Sequence, residues 1–89
     1  MFLHLGQNTV IRQDDIIGIF DLDNTTVSKA TRDYLTKMEK QGKVINVSLE
    51  LPKSFVVCQD DKKEITIYIT QISTSTLIKR AENSDDVIY

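Results

Sequence analysis

The cleanest pattern in this chain is an alternation, with Ile65, Ile67 and Ile69 on one face of an extended segment and Thr66, Tyr68 and Thr70 on the other. Period-2 spacing of branched residues predicts a strand. Upstream, Phe55, Val56, Val57 and Cys58 fill the stretch Ser54 to Gln59 after the break at Pro52. The charged turn Asp60-Asp61-Lys62-Lys63 then joins the two strands as a hairpin with one buried face. Near the start, Phe2 to Leu5 and Thr9 to Arg12 flank Gly6-Gln7-Asn8 and predict two short strands around a tight turn. After the polar break Gln13-Asp14-Asp15, the run Ile16-Ile17-Gly18-Ile19-Phe20 has no alternation, which predicts a strand covered on both faces.

Between these extended segments the period changes. Val27, Ala30, Thr31, Tyr34, Leu35 and Met38 recur on one helical face, predicting a helix over about residues 26–41. Asn24, Thr25 and Thr26 offer N-caps, and Gly42 stands where a glycine stop belongs. Lys43 to Val47 reads as a short strand or extended connection. Ser73 caps a short helix through Leu77, Ile78 and Ala81 to about Glu82, and residues 83–89 read as a flexible acidic tail. The expected fold is α+β: a small antiparallel, curved sheet of five or six short strands with one long helix and a short C-terminal helix, in a single domain over residues 1–82.

Composition narrows the class. With 89 residues, 10.2 kDa, 40% hydrophobic and 27% charged positions, the chain is sized for one globular domain and not for a multidomain enzyme. So small a domain has a thin stability margin that self-association would widen. No apolar run is long enough to cross a bilayer, and the opening residues lack the pattern of a signal peptide, so a cytoplasmic location is expected. The one cysteine, Cys58, has no internal disulfide partner.

One local motif suggests chemistry. Ile19-Phe20-Asp21-Leu22-Asp23-Asn24-Thr25 resembles the first signature of haloacid-dehalogenase-like phosphatases, in which Asp21 would be the nucleophile and Asp23 the general acid and base beside magnesium. That chemistry is built on a doubly wound parallel sheet, for which the residues after Asp23 leave no room. The ordinary reading is a polar strand-to-helix loop, so the phosphatase stays a distant third. His4 is the only histidine, Cys58 lies inside an apolar strand pattern, and the three glycines stand far apart. Neither a catalytic set, a metal site, a cofactor nor a phosphate-cradling loop is expected.

The segments Phe2-Leu3-His4-Leu5-Gly6, Asp15 to Asp21 with Val27 to Arg32 after it, and Ser75-Thr76-Leu77-Ile78-Lys79-Arg80-Ala81 together resemble the RemA/RemB family. These are extracellular-matrix regulators of Gram-positive bacteria, and the RemB (YaaB) branch is the nearer likeness. The resemblance implies a nucleoid-associated, DNA-binding transcription regulator of biofilm-matrix genes that acts on promoter regions as a ring-like homo-oligomer. It also implies that binding rests largely on arginines near the start of the third strand and in the loop before Ser54 to Gln59. Here those places read Asp14-Asp15 and Glu50-Leu51-Pro52-Lys53, leaving Lys53 as the basic residue.

Charge bears directly on that implication, because affinity for DNA comes mainly from neutralising phosphates. The net charge is −2, but Glu82, Asp85 and Asp86 carry three of the negative charges and leave residues 1–81 at +1. Candidate DNA contacts are Lys53, Arg80, Lys79, Arg32 and Lys29. Each is a modest basic spot that a ring would multiply. The competing reading is an oligomeric protein-interaction module that regulates without touching DNA, in which the basic helix is simply a solvated face.

Overall fold

The computed structural model describes residues 1–22 and 28–82. Strands β1 (Phe2–Gly6) and β2 (Thr9–Arg12) form an antiparallel hairpin. A single 3-10 turn, Gln13–Asp15, leads into β3 (Ile16–Asp21). Helix α1 (Lys29–Lys40) follows, then β4 (Val44–Asn46), β5 (Ser54–Gln59), β6 (Ile65–Thr70) and helix α2 (Thr74–Glu82).

Helix α1 starts at Lys29, capped by the Ser28 hydroxyl, which accepts from the Thr31 backbone N–H at 3.1 Å. The expected caps Asn24, Thr25 and Thr26 lie outside the described residues. The helix ends as its glycine predicts. Gly42 takes φ +73°, its N–H donates to the Glu39 carbonyl at 3.0 Å, and the Lys43 N–H reaches the Met38 carbonyl at 3.0 Å. These two bonds satisfy carbonyls of the last turn that have no partner within the helix. At the other helix, the Ser73 hydroxyl accepts from the Thr76 N–H at 3.3 Å, the cap read from the sequence.

The α+β class and the two helices stand, but the single curved antiparallel sheet does not form. Among the described residues, six strands divide into the β1–β2 pair and a separate four-stranded sheet of order β3-β5-β6-β4. In that sheet β4 pairs with β6 in parallel, Val44 opposite Ile67 and Asn46 opposite Ile69. The reason is topological. Helix α1 carries the chain from one edge of the sheet to the other, so β4 runs in the same direction as β3, and both run with β6.

Alternate side chains of β5 and β6 feed two cores. On one face Phe55, Val57 and Ile67 pack with Met38 of α1, flanked by Leu35, Val44 and Ile69. On the other, Val56 and Cys58 join Leu3, Leu5 and Ile11 of the hairpin and Leu77 of α2. The β5–β6 hairpin is thus covered on both faces, not on the one expected. Two buried hydroxyls tie these layers together. Ser54 Oγ donates to the Ile72 carbonyl at 2.7 Å and bonds with Thr74 Oγ1 at 2.9 Å, while Thr70 Oγ1 donates to the Leu5 carbonyl at 2.7 Å. Their pairing is what makes the burial of polar atoms tolerable.

β3 also departs from expectation. It is an outer strand with one neighbour, β5, and its Ile17 and Phe20 stay 58% and 46% exposed. The register shift between Ile16 and Gly18 accounts for Ile17, which the bulge turns out of the ladder. No described helix is long and apolar enough to cross a membrane.

Candidate functional site

The sheet separates the candidate basic residues. Lys29 and Arg32 are exposed on α1, over one face. Lys79 and Arg80 are exposed in the last turn of α2, whose Leu77 and Ala81 pack on the opposite face. Two of them have structural partners. Lys29 Nζ lies 2.8 Å from Asp33 Oδ2, one turn along the helix, and Arg80 Nη1 donates to the His4 carbonyl at 3.1 Å, tying α2 to β1. The two helix pairs therefore stand on opposite faces of the sheet and do not join in one basic surface.

Lys53 stands on a fixed stretch of main chain. Its N–H donates to the Thr70 carbonyl at 2.9 Å and its carbonyl accepts from the Leu22 N–H at 2.8 Å, so the main chain is held from both sides while the side chain is exposed. It closes a loop that begins at Val47, a buried residue whose N–H donates to the Ile69 carbonyl at 2.8 Å. Between these anchors Leu49 is fully exposed and Leu51 is 78% exposed. The Ser48 hydroxyl accepts from the Glu50 N–H at 3.0 Å and sets the turn that projects them.

The acidic residues do come together. Arg12 Nη2 lies 4.0 Å from Asp14 Oδ2, and its Nη1 lies 3.8 Å from Asp61 Oδ2, which brings the β2–β3 junction beside the β5–β6 turn. Asp60 organises that turn by accepting from the N–H groups of Lys62 and Glu64, each at 2.9 Å. Asp15 acts inward. Burial, with the negative charge of Asp15 adding to it, pushes the Cys58 thiol up to about 11, and burial followed by the charges of Cys58 and Asp15 raises Tyr68. A thiol held so high stays protonated and unreactive at neutral pH.

Sequence reasoning missed two apolar surfaces, the loop leucines and a groove beside β3. The groove, about 360 Å³, is floored by Phe55 and Val57 and walled by Ile17 and Phe20 on one side and by Ala30, Thr31 and Tyr34 on the other. It exists because Ala30 and Thr31 leave space at the start of the α1 wall and because the Phe20 ring stacks on Phe55, centroids 4.9 Å apart. The signal for Leu49 and Leu51 was there to read, since both fall beside Pro52 outside any periodic pattern. Nothing local marks the groove.

The phosphatase motif has the wrong surroundings. Asp21 ends an outer strand whose neighbour is antiparallel, and the one parallel pair among the described strands lies at the far edge. Asp23, Asn24 and Thr25 lie outside the described residues, and among those described no group of His, Cys, Asp and Glu could hold a metal ion. What the described residues define is a small α+β domain that presents basic spots, an acidic corner and two apolar surfaces.

The family model for RemA-like proteins, described as extracellular matrix regulatory protein A-like, matches residues 2–81. Extracellular matrix regulatory protein B of Bacillus subtilis (strain 168) is 37% identical over 82 residues, covering 92% of this chain and 91% of that protein. The chain belongs to the RemA/RemB-like family of extracellular-matrix regulatory proteins.

Proposed function

We propose that this chain is a cytoplasmic, DNA-binding transcription regulator of extracellular-matrix and biofilm genes, acting on promoter DNA as a ring-like homo-oligomer. The family match across residues 2–81 is the observation that carries this reading. Lys53 supplies the contact: an exposed cation on a main chain pinned at both its N–H and its carbonyl. One such cation per subunit binds phosphate weakly. Repeated around a ring, it acts through effective concentration. Arg80, Lys79, Arg32 and Lys29 add to the field of each subunit.

A second reading keeps the oligomer and replaces DNA with a protein regulator. It is favoured by Leu49 and Leu51, two exposed leucines on an anchored loop, and by the acidic corner of Asp14 and Asp61 around Arg12. The deciding experiment is a titration with promoter-length duplex over a salt series, together with the mass of the particle in solution. Direct binding requires an affinity that falls steeply with salt. An intact oligomer with no affinity at low salt selects the protein-binding reading, and a monomer at micromolar concentration overturns the ring in both.

A further inference from the structure

The two apolar surfaces of this chain have complementary forms. One is concave: the groove between α1 and β3, about 360 Å³ and floored by Phe55 and Val57, lies within the range of about 300–1,000 Å³ typical of pockets. The other is convex, since Leu49 and Leu51 project from the loop before β5. Among the described residues both are open to solvent, with Ile17, Phe20 and Tyr34 exposed on the groove walls. We propose that they are the two halves of one contact, in which Leu49 and Leu51 of one copy seat in the groove of a second copy of this chain.

Three observations support a second copy as the occupant. The first is the fixed form of the loop. The Val47 N–H is bonded to the Ile69 carbonyl, Lys53 is held by Thr70 and Leu22, and the Ser48 hydroxyl sets the turn between them. A loop so held keeps its leucines outward, and covering them costs little further ordering entropy. The second is charge. Glu50 stands between the two leucines and is exposed. On α1, Lys29 and Asp33 pair with each other, while Arg32, Lys37 and Lys40 outnumber Glu39. Lys37 stands one helical turn beyond Tyr34, so the Glu50 carboxylate meets positive potential along the helix wall. Asp21 ends the opposite wall, which directs the acid of the loop to the helix side.

The third is the kind of contact the two surfaces make. The loop and the groove are different parts of the chain, so each copy gives a loop to one neighbour and receives a loop from another. Such a head-to-tail contact closes into a ring where the rotation between copies permits. Two leucines alone hold a neighbour weakly, and closure strengthens the contact because every copy is then held at both surfaces. The contact presupposes the homo-oligomer of the proposed function and is independent of DNA.

Sedimentation velocity of the full chain tests it, alongside the loop variant Leu49→Ser/Leu51→Ser, the groove-filling variant Ala30→Phe, and their equimolar mixture. The native chain is expected to form a particle of several copies, and each variant to weaken assembly roughly tenfold or more. Tyr34→Glu, a second groove variant on the exposed helix face, should act as Ala30→Phe does. The loop variant should keep the urea midpoint of the dissociated native subunit, because both leucines are exposed there. The loop variant retains its groove and Ala30→Phe retains its loop, so the mixture should yield a particle of two copies and nothing larger. Glu50→Lys should weaken assembly, and Lys37→Glu in the same chain should restore it. Native-sized particles in the loop and groove variants, or a mixture without the two-copy particle, overturn this contact and leave the homo-oligomer standing. A native chain that is monomeric at micromolar concentration overturns both.

Discussion

Gly18 and Phe20 sit two apart on β3, and a Cβ built on Gly18 would lie 2.7 Å from the Phe20 ring. The ring thus covers the glycine and lies against Phe55, and the shape of the groove depends on the absence of one methyl group. Gly18→Ala should push the ring off its stack and cost about 1–3 kcal/mol, read as a lower urea midpoint. An unchanged midpoint would mean that the ring moves aside without loss. Cys58 offers a second test at this scale. Its thiol is raised from 9.0 to about 11 in the folded chain, so between those values the unfolded state gives up its proton first. Stability should therefore fall as pH rises from about 9 to about 11, and Cys58→Ala should flatten part of that slope in urea titrations, while the raised Tyr68 contributes in the same direction. A variant whose slope matches the native chain would refute the assignment.

At the scale of elements, the loop from Val47 to Lys53 joins two opposite behaviours. Val47 is buried and bonded to β6, whereas Leu49 and Leu51 point into solvent. Val47→Ala should cost about 1–3 kcal/mol, while Leu49→Ser/Leu51→Ser should stay within about 0.5 kcal/mol of the native chain. Matched urea denaturation of both variants checks this, and equal losses would show the leucines to be packed. The helix boundaries teach a related lesson. The stop at Gly42 and the cap at Ser73 were legible because each is written in a few adjacent residues. The exposure of β3 was not, because an unbroken apolar run looks the same in an inner strand buried on two faces as in an outer strand that borders a groove.

For the molecule as a whole, the path from β3 through α1 to β4 decides where everything else stands. It puts β3 and β4 on opposite edges, places α1 over one face, and leaves the hairpin and α2 to cover the other. The same arrangement disperses the basic residues, so their substitutions should differ in kind. Lys53→Ala should weaken binding to duplex DNA and lower the salt slope by about one unit while leaving the urea midpoint unchanged. Arg80→Ala should also lower the midpoint, through a loss of about 1 kcal/mol of stability, because its guanidinium ties α2 to the His4 carbonyl. Parallel binding and denaturation curves separate the two effects, and identical losses of stability would overturn the distinction. By itself the sequence determined the limits of β2, β5 and β6, the two helix signals and the resemblance to a regulator family, since these reside in short-range spacing or residue identity. Only the tertiary structure decided that the strands split into two sheets, that β4 joins in parallel, that Arg12 meets Asp61, and that a groove opens beside Phe20. Each of those depends on residues far apart in the chain, whose proximity is set by the shared burial of β5 and β6 and not by any local preference.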